Sequence, residues 1–248
     1  MPRTKDNFTT RIFRSLWLPA MLSSLGWALS DMADAVVVGQ KLGTVGLAAI
    51  SLILPVYMIN CMLAHGLGLG GSVRYSRLLG QGKTQEAADS FRGVFALSLL
   101  FSITTAVLGS VFMEPLLALL GTRPADGALY AATRDYLQIL VAATPLFYLS
   151  NVLNYYLRND GSQRRAGFGS VTGNVCDILL NLLLVLALDM GTRGAALSTA
   201  LGQIITLCIY LPGFFGEAHT LRFAPPQRGW CAPAFSALRA GMATSVQY

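Results

Sequence analysis

Four polar residues recur on one face of an otherwise apolar segment, GNVCDILLNLLLVLAL and the turn before it. Ser170, Asn174, Asp177 and Asn181 follow one another at steps of four, three and four, which places them on one side of a helix. A carboxylate among apolar residues is unstable unless it is protonated, paired or hydrated. This stripe therefore predicts either a proton-exchanging carboxyl group or an oxygen-lined site for Na⁺.

A second polar set lies nearer the start of the chain, where Ser30, Asp31 and Asp34 interrupt another apolar stretch. The pairs Ser30–Asp34 and Asp31–Asp34 are four and three residues apart, so each pair shares a helical face. Hydrogen bonding between helices explains single Asn, Ser and Thr residues at least as well as a functional role does. Two separate aspartates without a nearby Lys or Arg are better explained by ion-coupled transport.

The composition indicates that membrane-spanning helices carry these residues. Only 12% of the residues are charged and 54% are hydrophobic, whereas soluble domains carry roughly 25% charged residues. A spanning helix needs about 20 apolar residues. Six stretches meet this length, at about residues 15–38, 46–72, 92–113, 133–156, 167–188 and 194–214. The sequence therefore predicts an all-α integral membrane protein with six transmembrane helices.

The basic residues predict the orientation of these helices. Of the 18 Lys and Arg residues, all but four fall on one side of the six-span arrangement. The exceptions are Lys41, Arg123, Arg134 and Arg193. Cytoplasmic loops are enriched in Lys and Arg, so the N-terminus and the end of the sixth helix are predicted to be cytoplasmic.

These spans also predict the domain organisation. Residues 1–14 are expected to be a cytoplasmic N-terminus and residues 15–214 a six-helix transmembrane lobe. Residues 215–248 are expected to be a cytoplasmic linker and the truncated start of a seventh helix. Residues 114–130 are expected to form a short interfacial helix and a turn outside the membrane.

No nucleophile, metal or cofactor motif favours an enzyme. Gly66, Gly68 and Gly71 satisfy G-x-G-x-x-G, but this pattern indicates a dinucleotide site only between a strand and a helix. Here the glycines end a membrane helix, so close helix packing is the better interpretation. The net charge of +6 is interpreted as basic loops at the membrane surface. We therefore predict a protein that is not an enzyme, with no cofactor and no nucleic-acid partner.

Six stretches follow one another in an informative order: DMADAVVVGQKLGTVGLAAISLILP, GLGLGGSVRYSRLLGQGKTQEA, FMEPLLALLGT, DYLQIL, NVLNYYLRNDGSQRRA and MGTRGAALSTALGQ. Each is weak alone, but the series is specific, and it resembles the N-terminal half of a multidrug and toxic compound extrusion (MATE) transporter. The resemblance implies one lobe of a twelve-helix exporter in a bacterial plasma (inner) membrane. Such exporters couple efflux of cationic drugs or toxic organic compounds to inward movement of H⁺ or Na⁺.

The resemblance also implies site residues. By position, Asp34 matches the family's first-helix aspartate, whereas Asp31 has no such match and is secondary. The family's fifth helix often carries Asn, three apolar residues and then Asp. In this chain Asp177 takes the position of the Asn and Asn181 that of the Asp. The exchange moves the carboxylate by one helical turn, about 5.4 Å along the axis.

The predicted site therefore has two parts. The ion-coupling residues are Asp34, Asp177 and Asn181. The cavity or substrate residues are Tyr136, Asn151, Asn174 and Thr199. If the coupling ion is Na⁺, its expected ligands come from Asp34, Asp177, Asn181, Asn151 and Thr199. The residues leave H⁺ and Na⁺ both open.

Two functions are alternatives to a cation-coupled exporter. A lipid-linked oligosaccharide flippase of the related superfamily is expected to have a more basic cavity, which the acidic residues disfavour. A transport-inactive membrane fragment is suggested by the end of the chain at Tyr248. The expected partners are the lipid bilayer, small organic cations and the missing C-terminal lobe.

Overall fold

The protein is built from long helices packed side by side. The computed structural model describes residues 4–214, 234–239 and 241, and no strand occurs in those ranges. The helices are α1 (Thr4–Gly80), α2 (Thr84–Val111), α3 (Met113–Leu119), α4 (Ala128–Asn159), α5 (Gln163–Asn181) and α6 (Gly191–Tyr210). A π-helical segment, Leu182–Ala187, extends α5, and a 3₁₀ turn, Leu211–Phe214, extends α6.

Helix α1 is too long for one membrane crossing. Its apolar part, Ser24–Gly80, has 57 residues, which is about 85 Å of helix against a bilayer core of about 30 Å. Gly43 interrupts it with φ 60° and ψ −145°, a conformation open to glycine because glycine lacks a Cβ. The side chain of Leu47 lies 3.3 Å from where a Cβ on Gly39 would be. These residues would be about 12 Å apart along a straight helix, so the chain bends sharply at Gly43.

Contacts between α1 and α5 indicate that this bend reverses the chain. Ser30 contacts Asp177, and Asp34 contacts Asn181 one turn further along both helices, so residues 24–42 run parallel to α5. Parallel spanning segments must be an even number of crossings apart. With residues 44–80, α2 and α4 between them, α5 is the fifth crossing. The five apolar helices found within the described residues therefore provide the six predicted spanning segments, because α1 supplies two of them.

The predicted spans differ from the helices mainly at their ends. Helix α1 begins at Thr4, so the predicted N-terminal lead-in of residues 1–14 is helical from its fourth residue. The second half of α1 continues to Gly80, eight residues past the predicted end, because the polar stretch VRYSRLLG stays helical beyond the apolar part. The short helix predicted within residues 114–130 corresponds to α3 and a 3₁₀ turn, Pro124–Asp126. The predicted linker at 215–233 lies outside the described residues.

The outer surface of the bundle is apolar. Leu119, Val111 and Phe168 are 82%, 69% and 66% exposed, respectively. Such exposure is unfavourable in water but is expected against lipid tails. The chain is therefore a multi-pass membrane protein.

Aromatic side chains fill the interior at one end of the bundle. The rings of Phe91 and Tyr156 are 4.8 Å apart, and Phe91 also stacks on Phe214 at 5.7 Å. The Tyr75 hydroxyl donates a 2.6 Å hydrogen bond to the Asp160 carboxylate. This packing holds α1, α2 and α4 against the end of α6.

Glycines of α1 make close packing possible, as the sequence predicted. A Cβ on Gly68 would lie 2.5 Å from the Tyr155 ring, and one on Gly71 would lie 2.5 Å from the Tyr156 hydroxyl. A Cβ on Gly70 would lie 1.9 Å from the carbonyl oxygen of Ala237, in the helical residues 234–239. The G-x-G-x-x-G pattern is therefore a packing surface for α4 and for the C-terminal segment.

Candidate functional site

Two parallel helices bring the predicted ion-coupling residues together. The Ser30 hydroxyl donates to the Asp177 carboxylate at 3.1 Å and lies 3.2 Å from the backbone oxygen of Asn174. One turn further along, the Asn181 amide donates a hydrogen bond to the Asp34 carboxylate. We call Ser30, Asp34, Asn174, Asp177 and Asn181 the carboxylate cluster. The cluster contains two hydrogen-bonded pairs, Ser30–Asp177 and Asp34–Asn181, because the polar residues recur every four positions on both helices.

Three buried polar atoms of the carboxylate cluster have no hydrogen-bond partner among the described residues. They are Oδ1 of Asp177, Oδ1 of Asn181 and Nδ2 of Asn174. Asp177 is only 6% exposed and Asn181 is fully buried. A buried polar atom without a partner destabilises the fold by about 1–3 kcal/mol. Two such oxygen acceptors beside two carboxylates are suited to a bound cation.

The charges around the cluster are acidic. Asp31 and Asp34 both lie within electrostatic reach of Asp177. Tyr136 on α4 lies within reach of all three aspartates. None of the ion pairs between described residues includes any of these aspartates. The negative charge is therefore not neutralised by a neighbouring Lys or Arg of the described chain.

Helix α6 forms the third wall of the cluster. The Thr199 hydroxyl lies next to both Asp34 and Asp177, and the buried Ser198 hydroxyl lies next to Asp177. Gly202 allows this approach, since a Cβ there would lie 3.0 Å from the Cβ of Asp177. On the α1 side, Gly26 leaves room for the Asn174 amide, 3.1 Å from where a Cβ would be.

Asn151 lies elsewhere in the lobe. Its amide donates a 2.9 Å hydrogen bond to the Phe147 carbonyl of its own helix. It lines a cavity of about 20 Å³ between α1 and α4, together with Tyr57, Asn60 and Cys61. This is room for about one water molecule. No hydrogen bond within the described residues joins Asn151 to either carboxylate, so its predicted part in Na⁺ binding stays a prediction.

The structure thus groups most of the predicted site residues. Asp34, Asp177, Asn181 and Asn174 form the carboxylate cluster, while Thr199 and Tyr136 face it from α6 and α4. Two hydroxyls, Ser30 and Ser198, complete the set although neither was predicted as a site residue. The four-residue spacing between Ser30 and Asp34 is the sequence feature that could have identified Ser30. No comparable spacing identifies Ser198.

The cluster offers one kind of chemistry. Among the described residues, no group of three or more His, Cys, Asp and Glu side chains could hold a metal ion. The available donors are carboxylate, amide and hydroxyl oxygens, which suit a proton or an alkali cation. The unpartnered oxygens of Asp177 and Asn181 fit such a ligand.

Comparison with known proteins places the whole lobe among transporters. The MatE family model matches residues 19–183, a range that includes every residue of the carboxylate cluster. A crystal structure of MATE in the straight conformation superposes with a TM-score of 0.84 at 26% identity. The match covers 94% of this chain and 52% of that one.

Two curated relatives align with most of the sequence. An FAD transporter of Shewanella oneidensis is 29% identical over 203 residues, covering 80% of this chain and 44% of the relative. The multidrug export protein MepA of Staphylococcus aureus is 27% identical over 226 residues, covering 88% of this chain and 49% of the relative. The chain spans about half the length of the curated relatives it matches.

Proposed function

Because the chain belongs to the MatE family, whose members are transporters and not enzymes, we propose that it is the N-terminal lobe of a cation-coupled exporter. The exporter moves organic cations out of a bacterial cell in exchange for H⁺ or Na⁺. The observation that carries this proposal is a pair of buried oxygens beside Asp34, on Asp177 and Asn181, that have no hydrogen-bond partner in the part of the chain that the structure describes.

The coupling step follows from the charges of the cluster. With no cation bound, two ionised carboxylates in a low-dielectric site repel each other and the free oxygens lack partners. A bound proton or Na⁺ removes this repulsion and draws residues 24–42 towards α5. An organic cation near Asp34 and Asp177 competes for the same negative charge. Binding of one cation therefore favours release of the other, which is the requirement for antiport.

The acidity of the cluster also supports a cationic substrate. One relative carries FAD, whose diphosphate is anionic, and another is a multidrug exporter. Asp34 and Asp177, which pair with no described Lys or Arg, repel an anion and attract an organic cation. The aromatic ring of Tyr136 beside them adds a surface on which a flat cation can stack.

The remaining parts of the proposal concern the assembled transporter. Alternating access requires a second lobe against which this one moves, and the half-length match to relatives supports such a partner. The distribution of Lys and Arg supports a cytoplasmic N-terminus in a bacterial inner membrane.

A dye-sensitivity assay tests the proposal. The protein is expressed at full length in an efflux-deficient host, and growth is measured in ethidium and in tetraphenylphosphonium. Asp34→Asn and Asp177→Asn are expected to abolish protection, while the matched control Asp31→Asn retains it. Full protection by both of the first two variants, at equal membrane abundance, would contradict the coupling role. Loading of FAD into inverted vesicles without dye efflux would contradict the cationic substrate.

A further inference from the structure

Ion pairs between described residues neutralise basic side chains at both ends of the lobe, but three arginines at one end take no part in them. At the end predicted to face outwards, Lys41 pairs with Asp189 at 3.2 Å, Arg134 with Glu114 at 3.4 Å, and Arg193 with Asp135 at 2.8 Å. These are the ion pairs formed there by described residues. Outward arginines and lysines are thus largely neutralised within the protein.

At the opposite end, Lys83 pairs with Glu86 at 3.0 Å and Arg92 with Asp89 at 3.0 Å, but three arginines lack such a partner among the described residues. Arg158 is in the last turn of α4, and Arg164 and Arg165 are in the first turn of α5. The Arg165 guanidinium reaches the end of α6, 2.7 Å from where a Cβ on Gly213 would be. Arg158 lies close enough to act electrostatically on Tyr210, whose hydroxyl binds the Ala166 carbonyl at 3.0 Å. None of the three forms a hydrogen bond or ion pair with a described acidic residue.

This placement is unfavourable for the isolated protein. Helix α5 has no acidic residue in its first turn, and the side chain of its N-cap residue, Ser162, forms no capping hydrogen bond. A cation at a helix N-terminus is destabilising by about 0.3–1 kcal/mol because the helix dipole is positive there. Arg164 and Arg165 add two cations at that position, and Arg158 precedes them across the short turn between α4 and α5. An external anion would offset this repulsion.

The position of Arg164 points to the source of that anion. Exposed apolar side chains run along one face of α5 at helical spacing, Phe168 at 66%, Val175 at 49% and Leu179 at 59%. Arg164 lies one turn before Phe168 on the same face, at the end of this lipid-facing stripe. Its long side chain therefore ends at the level where lipid headgroups lie.

We propose that Arg158, Arg164 and Arg165 form a binding site for the phosphate of an anionic phospholipid, at the junction of α4 and α5. The acyl chains of the lipid lie along the stripe formed by Phe168, Val175 and Leu179. The first-turn backbone N–H groups of α5 face the same phosphate as the guanidinium groups. This site is independent of the carboxylate cluster.

Native mass spectrometry of the purified full-length protein tests this site. The protein is incubated with an equimolar mixture of phosphatidylglycerol and phosphatidylcholine. We expect one phosphatidylglycerol to be retained in preference to phosphatidylcholine. The double variant Arg164→Gln with Arg165→Gln should bind it about 25-fold more weakly, because each guanidinium near the surface contributes a factor of about five. The variant with Lys at both positions keeps the charge and should retain most of the preference.

The matched control is Arg134→Gln with Arg193→Gln, which removes two charges at the other end and should leave the preference unchanged. Equal retention of both lipids by the wild-type protein would overturn the proposal. So would an unchanged preference in the Gln double variant, or an equal loss in the control. If the Gln variant does not fold, the Lys variant and competition by raised salt in the wild-type protein decide between these outcomes. Dye export by the Gln variant is measured separately, because its loss alone would concern the transport proposal.

Discussion

Two polar regions of this lobe use similar residues and differ in how completely they are satisfied. In the carboxylate cluster, three buried atoms of Asn174, Asp177 and Asn181 have no partner among the described residues. In the second region, the Asn154 amide donates to the Tyr210 hydroxyl at 2.5 Å, and that hydroxyl donates to the Ala166 carbonyl at 3.0 Å. We call Asn154, Ala166 and Tyr210 the tyrosine network.

The difference separates a ligand site from a structural contact. The tyrosine network joins α4, α5 and α6, and none of its side-chain atoms is a buried polar atom without a partner among the described residues, as expected for polar contacts between membrane helices. The carboxylate cluster joins α1 and α5 beside α6, and some of its acceptor capacity is unused among the described residues. Ser90, Thr122 and Tyr156 each carry a single unpartnered buried hydroxyl too, but only the cluster groups several such atoms beside two carboxylates, where a bound ion can satisfy them. Substitutions in the tyrosine network should therefore change stability, and substitutions in the carboxylate cluster should change transport.

Moving the carboxylate along α5 tests this distinction with the largest expected effect. Asp177→Asn alone should lower dye efflux by about tenfold or more, because a transmembrane carboxylate that carries the coupling charge is lost. Adding Asn181→Asp restores one carboxylate on the same face and should recover most of the efflux. The measurement is initial efflux rate from loaded cells. A double variant as inactive as Asp177→Asn would show that the position of the carboxylate, and not only its presence, is essential.

Closing the space behind Asp177 should have the next largest effect. A Cβ in Gly202→Ala would lie 3.0 Å from both the Asp177 Cβ and the Gly173 carbonyl oxygen. The added methyl group forces α5 and α6 apart, at about 1–3 kcal/mol for an overpacked contact. We expect efflux to fall several-fold, together with a lower melting temperature. Gly80→Ala is the control, because no atom lies within 4 Å of a Cβ there, and it should leave both quantities unchanged.

The tyrosine network should respond in stability alone. Tyr210→Phe removes the hydroxyl and leaves the Asn154 amide and the Ala166 carbonyl without their partner. The expected destabilisation is about 1–3 kcal/mol, measured as a lower melting temperature in detergent. Efflux per folded transporter should stay near the wild-type rate. A loss of efflux without a loss of stability would contradict the claim that the tyrosine network has only a structural role.

Removing one hydroxyl of the carboxylate cluster should give the smallest effect. Ser30→Ala deletes the 3.1 Å hydrogen bond to Asp177, which contributes about 1 kcal/mol. The coupling cation should bind roughly five-fold more tightly, because this hydrogen bond stabilises the ionised, cation-free carboxylate and 1.4 kcal/mol corresponds to a tenfold change. Efflux measured against coupling-ion concentration should shift its midpoint and keep its maximum. An unchanged midpoint would place Ser30 outside the cation site.

The sequence was sufficient for the fold class because apolar length and charge are strong signals in membranes. The spacing of Ser30, Asp34, Asp177 and Asn181 also predicted the faces that meet. The register between α1 and α5 could not be predicted, because it depends on the turn at Gly43 and on how the helices pack. Asn151 was assigned to the site by its match to the family pattern; it donates to the Phe147 carbonyl and lines a small cavity between α1 and α4, and its part in Na⁺ binding stays a prediction.

Ser198 and the α4–α5 arginines show a second limit of sequence reasoning. A serine in an apolar helix has the same spacing whether it faces lipid, a neighbouring helix or a site, and only packing decides. The arginines fit the general excess of cytoplasmic positive charge, so sequence alone did not distinguish Arg164 from Arg77. The difference lies in the contact of Arg165 with the end of α6 and in the position of Arg164 at the end of the lipid-facing stripe of α5.

Cation binding by the purified full-length protein tests the central claim most directly. Isothermal titration calorimetry with Na⁺, and proton exchange recorded in weakly buffered solution, measure the two candidate ions on the same sample. We predict that the wild-type protein binds one of them through the carboxylate cluster, and that Asp34→Asn with Asp177→Asn loses this binding. The control Asp31→Asn with Asp189→Asn should retain it. Unchanged binding in the first double variant would contradict the account.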